Sequence, residues 1–183
     1  MKKRKVFFMK KSLAVWQWLG FLFVSVAGTA LHYVYEWTGE SVFAAPFSGV
    51  NESTWEHMKL LFFPMLVFAL IQGYYLRECK TFWCVKAIGA VVGILSIPFL
   101  FYTVNGAFGR TPDWVNISLF FVSAGLAFLL EYWLFRKELP KCKHQGWGIL
   151  VLGVLALAFA IFTFATPEIP LFRDPVTGTY GVG

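Results

Sequence analysis

Charge is scarce in this chain: 14% of its 183 residues are Asp, Glu, Lys or Arg, where a water-soluble domain carries roughly 25%. With 58% of the residues hydrophobic, water is excluded as the main solvent. Cysteine is scarcer still, three residues in all, and the odd number argues against a disulfide framework. Cys79, Cys84 and Cys142 are expected as reduced thiols on the cytoplasmic side. Phosphate-binding loops, dinucleotide fingerprints, nucleophile elbows and haem attachment sequences are missing, which removes nucleotide-driven chemistry from consideration. HExxH is missing too, and the spacing of Cys79, Cys84, Cys142 and His144 matches no familiar zinc finger.

Long apolar runs take the place of these features. Spans are expected over approximately 13–37, 53–77, 82–104, 113–135 and 146–165, each near the ~20 residues an α-helix needs to cross about 30 Å of hydrocarbon. Backbone groups in lipid must be satisfied within their own segment, and the short alternating segments of a membrane barrel do not occur. The fold class is therefore all-α, a polytopic transmembrane helix bundle of five spans. Residues 1–183 read as one integral membrane domain with an outer tail over 166–183. The first span also has the look of a signal peptide cut after Ala30, but its apolar run continues through Tyr35 and exceeds the usual signal core.

Thirteen of the sixteen basic residues fall before the first span or beside the second-to-third and fourth-to-fifth turns. Since Lys and Arg are retained on the cytoplasmic side, this predicts the N-terminus in and the C-terminus out, as a multi-pass protein of a bacterial cytoplasmic membrane. The net charge of +6 then reflects topology and anionic lipid headgroups, not nucleic acid. Membrane lipids are the expected surroundings, with other membrane subunits or a homo-oligomer as further partners. Glu131, close to Arg136 and Lys137, is expected in an interfacial ion pair.

The outer side holds the polar chemistry. NESTWEH, residues 51–57, stands at the start of the second span. Ser53 followed by Glu56 matches a capping box, which needs no ligand. Yet Glu52 and Glu56 stand four apart, as do His32 and Glu36, and helices joined by a short loop can bring the two pairs together beside His57. Like charges at that spacing repel unless a cation lies between them. Carboxylates plus imidazole suit a divalent transition metal, Zn, Mn or Fe, so His32, Glu36, Glu52, Glu56 and His57 form the candidate metal set, with Glu56 or Glu52 the candidate catalytic base. His32 is the deciding residue, because an imidazole within an apolar span is costly. Arg110, Asp113, Arg173 and Asp174 are the candidate substrate-binding residues, the arginines suited to an anionic group. The tail TPEIPLFRDPVTGTYGVG is expected either to fold back over the outer ends or to fray.

Through NESTWEHMKLLFFP, LHYVYEWTG and IPLFRDPVTGTYG, the chain resembles a family of small bacterial polytopic membrane proteins without assigned function. The resemblance implies the membrane class and that these three segments belong together, and it supplies no activity. From the residues, three functions stand open. One is a transport or binding subunit for a small solute or divalent metal. The second is a metal-dependent interface hydrolase acting on a lipid-linked or amphipathic substrate, and the third a non-catalytic assembly factor.

Overall fold

The computed structural model describes residues 2–109 and 111–182. Five helices account for most of them: α1 (Lys2–Trp37), α2 (Thr54–Tyr75), α3 (Phe82–Phe108), α4 (Asp113–Lys137) and α5 (Gly146–Phe164). All five are long and apolar enough to cross a membrane, and no strand forms among the described residues. The chain is a multi-pass membrane protein by this measure.

Successive helices run antiparallel, and packing of α1 on α2, α2 on α3, α3 on α4 and α4 on α1 closes a ring of four, with α5 laid against α3. Burial follows that arrangement. In its most apolar stretch α2 is 61% buried against 22% for α5, because α2 sits amid the others and α5 turns Leu150, Val154, Leu157 and Ile161 outward. The core interdigitates Phe62, Phe63 and Phe159, with Met65, Ile94, Ala127 and Phe128 beneath them. Gly148 lets α5 reach α3, since a Cβ there would collide with the Trp83 backbone. Gly153 faces open space, and a Cβ at Gly125 would meet only Phe21.

One end of the bundle, the tail end, holds the α1–α2 segment and the residues after α5; the other, the loop end, holds the α2–α3 and α4–α5 connections. At the loop end the structure corrects two expectations. Cys84 and Cys142 are joined in a disulfide, leaving Cys79 free. The cause is a close approach of the α4–α5 connection to the start of α3: Gln145 accepts from Trp83 N at 3.2 Å and donates to Cys79 O at 3.3 Å. Glu131 does not pair at the interface with Arg136 or Lys137. It accepts from Lys86 Nζ at 2.6 Å, both side chains buried, because antiparallel α3 and α4 set the two opposite each other and each offsets part of the cost of burying the other's charge.

The tail folds back. A short 3-10 turn, Pro170–Phe172, seats Phe172 between Trp55 and Phe162, with ring centroids 4.5 and 5.9 Å away. The DPVTG turn closes around Asp174, whose Oδ1 accepts from Val176 N at 2.7 Å, and Arg173 pairs with Tyr180 in an isolated bridge.

Candidate metal centre at the tail end

Local geometry at NESTWEH begins with the cap. Ser53 Oγ accepts from Glu56 N at 3.4 Å and starts α2. Asn51 Oδ1 accepts from Ser53 N at 2.9 Å, while its Nδ2 donates to Gly181 O at 3.0 Å. One asparagine thus ties the helix start to the tail. Gly181 has φ of +65° and a Cβ there would meet Thr166 Oγ1, so this join tolerates little but glycine.

The capping box is only half made. Glu56 does not reach back to the Ser53 amide. Its carboxylate accepts from Val50 N at 3.0 Å and from Lys59 Nζ at 2.6 Å. Lys59 in turn donates to Ala45 O at 2.7 Å and Thr163 Oγ1 at 3.0 Å. Both charged groups are buried. This knot joins the α1–α2 segment, α2 and α5, and it is made through Glu56 Oε2.

Glu52 lies before the N-cap, outside the helix, so the four-residue spacing does not stack it on Glu56. It turns toward α1 instead. His32 Nε2 is 3.2 Å from Glu52 Oε1 and His57 Nε2 is 3.7 Å from Oε2. The imidazoles lie 5.7 Å apart between centroids. All three ligand atoms fall within 4.8 Å of one another. The site is reachable from solvent: both histidine side chains are 27% exposed and that of Glu52 47%.

His57 is oriented by its other nitrogen. Nδ1 lies 2.9 Å from Ser53 O, and since a carbonyl only accepts, Nδ1 carries the proton. In the neutral ring Nε2 is then a bare lone pair directed at a carboxylate, an arrangement a proton or a metal must relieve. A histidine whose Nδ1–H donates to a backbone carbonyl while Nε2 faces a carboxylate is what metal sites use. The hydrogen bond from His32 holds the Glu52 carboxyl below its ordinary range, against the opposing effect of burial; the charges of His32 and His57 help, and that of Asp174 hinders.

Of the residues named from sequence, His32, Glu52 and His57 come together. Glu36 lies one turn beyond His32 on α1, exposed, and Glu56 is held by Lys59. Arg173 and Asp174 both line a cavity of about 510 Å³ between the tail and α3, walled also by Thr54, Phe101, Tyr102 and Tyr180. Asp174 is buried and near enough to act on Glu52, so cavity and triad adjoin. Arg110 lies outside the described residues, and Asp113 begins α4.

Sequence reasoning missed Lys59, though its three-residue spacing from Glu56 was a signal. It also missed the buried polar residues of the loop end, Gln17, Gln72 and Lys86, which interrupt otherwise apolar runs.

A family model matches residues 2–182. The chain belongs to that family, DUF6512, a family of unknown function. No curated protein and no solved structure matches it.

Proposed function

Family membership brings no activity with it, so from the site alone we propose that His32, Glu52 and His57 bind one divalent transition-metal ion at the membrane interface and that the bound ion serves hydrolysis of an amphipathic substrate. The observation that carries this reading is the proton on His57 Nδ1, fixed by Ser53 O at 2.9 Å, which leaves Nε2 free as a ligand. Two imidazoles and a carboxylate suit zinc best, with manganese or iron as alternatives. Closing on zinc at ~2.0–2.2 Å sets the donors roughly 3.4 Å apart, close to the 3.2 and 3.7 Å at which His32 Nε2 and His57 Nε2 stand from the Glu52 oxygens. Three protein ligands leave a fourth position open, the pattern of catalytic zinc, where the ion acts as Lewis acid and activates water.

The adjoining cavity suits the substrate. Arg173 offers a guanidinium to an anionic group, and Phe101, Tyr102 and Val176 offer apolar wall. By the distribution of Lys and Arg this end faces outward from the cytoplasmic membrane. A transport or binding role is the second reading, favoured by Glu52 having only two titratable rings as counter-charge. It is weakened by the continuity of all five helices, since many secondary transporters break theirs at the binding site.

The test is an elemental assay on protein purified in detergent without chelator. About one transition-metal ion per chain is expected in wild type, lost in Glu52→Gln and in His57→Ala but retained in Glu56→Gln. Protein that comes metal-free and is not stabilised by added zinc overturns the site. Metal-loaded protein inert toward lipid esters and phosphoesters leaves the metal site standing and shifts the reading to binding or transport.

A further inference from the structure

Fifteen residues before His32 on α1, about 22 Å along the helix axis, the loop end holds a second site. We propose that the crevice between α1 and α4 binds a single-chain lipid alcohol, a hydrocarbon tail ending in a neutral hydroxyl, recognised by the carboxamide of Gln17. The crevice has a volume of about 320 Å³ and is lined by Ala14, Gln17 and Phe21 from α1 and by Gly125, Phe128 and Leu129 from α4. Its walls are hydrocarbon and aromatic apart from Gln17, the Trp18 indole N–H and the Tyr132 hydroxyl.

Gln17 is 5% exposed, and neither its Nε2 nor its Oε1 has a hydrogen-bond partner. An amide buried without partners is costly, and more so within a membrane span. Glu131 stands against it: one carboxylate oxygen accepts from Lys86 at 2.6 Å, and the other has no partner. A small shift places Gln17 Nε2 on that oxygen. Gln17 Oε1 then still lacks a donor, and no side chain lining the crevice supplies one to it among the described residues. The missing group is an O–H or N–H brought by a ligand.

The charge of the head follows from the neighbours. Lys86 is committed to Glu131 and Arg136 lies over the Tyr132 ring, so an anionic head at Gln17 meets the Glu131 carboxylate. A cationic head would compete with Lys86 for it. A neutral hydroxyl donates to Gln17 Oε1 at no such cost, and the apolar walls take its tail. Gln72 and Ser123 also lack partners, but they line neither this crevice nor the cavity at the tail.

Full-length protein, delipidated in non-ionic detergent, is titrated with 1-dodecanol and with dodecyl methyl ether, which has the same tail and no O–H. Bound copies are counted by native mass spectrometry. Wild type should hold the alcohol roughly tenfold more tightly than the ether. Gln17→Leu should bind the two alike, with a ligand-free thermal midpoint equal to or above wild type, since it removes an unpaired buried amide. Gly125→Leu should bind neither: a Cβ there meets only Phe21, at 3.9 Å, so the larger side chain fills the crevice and not the core. Wild type that treats alcohol and ether alike, or binds neither, overturns the proposal, as does Gln17→Leu that keeps the preference.

Discussion

Replacing Glu56 by Gln separates a helix start from a structural charge. A capping role predicts a cost well under ~1 kcal/mol, because glutamine completes a capping box as well as glutamate does. The structure assigns the carboxylate a different duty. It stands 2.6 Å from Lys59 Nζ, and the Lys59 side chain is wholly buried, with only Ala45 O and Thr163 Oγ1 as other acceptors. Glutamine can still accept from Val50 N, but it leaves an ammonium in the interior facing three neutral dipoles. Removing one partner of a buried pair costs about 3–5 kcal/mol. For a chain of this size that is a fall in thermal midpoint of roughly 6–20 °C. The assay is thermal unfolding in detergent followed by tryptophan fluorescence, with Lys59→Met and the double variant beside it. Because the single change strands a charge and the double change removes it, Glu56→Gln with Lys59→Met should recover most of the loss. A Glu56→Gln protein within ~0.5 kcal/mol of wild type, or a double variant no better than the single, refutes the reasoning.

Lys86→Met should likewise cost about 3–5 kcal/mol by stranding Glu131, with recovery on adding Glu131→Leu, read by the same unfolding assay. Phe172→Ala should cost about 3–5 kcal/mol, the usual range for a buried phenylalanine, and should free the tail to protease cleavage near Arg173 while the helices stay protected. The Glu52 carboxyl is held below its ordinary value of 4.5, so between the two values the unfolded chain binds more protons than the folded one and stability falls as pH falls. Glu52→Gln should flatten that slope below about pH 4.5. Zinc loading should also decline as pH falls, because protonated imidazoles cease to be ligands.

Much of the fold was open to reading in the sequence, because a span declares itself by composition alone: α3 and α5 begin at Phe82 and Gly146, within a residue of where their apolar runs begin. The candidate site was open only in part. His32 and His57 were legible because an imidazole beside an apolar run is rare. The grouping of Glu52 with Glu56 failed because a four-residue spacing means one face only inside a helix, and Ser53 places the helix start between them. Lys86 was counted with the surface charges because position along a span gives depth but not facing, and its facing is set by Glu131 forty-five residues later. The join of Asn51 to Gly181 is a contact across 130 residues with no periodic signal at all. The disulfide is of the same kind, since proximity of Cys84 to Cys142 depends on how one loop lies against another helix.

The three buried or half-buried glutamates of the bundle sort by what neutralises them. Glu56 and Glu131 each have a lysine at 2.6 Å, a permanent counter-charge of fixed geometry, and lie deep in the protein where an exchangeable cation would have no path. Glu52 has no lysine or arginine within ion-pair distance among the described residues, only the rings of His32 and His57, and it is the one left open to solvent. When both rings are neutral the triad carries a net charge of −1: His32 Nε2 donates to the Glu52 carboxylate, while the lone pair of His57 Nε2 faces it. That arrangement costs energy unless a cation enters, and the choice of cation then follows from the donors: two nitrogens exclude calcium and magnesium, which prefer all-oxygen shells, and favour zinc-like ions. Glu52 is therefore the one of the three whose charge is available to a ligand.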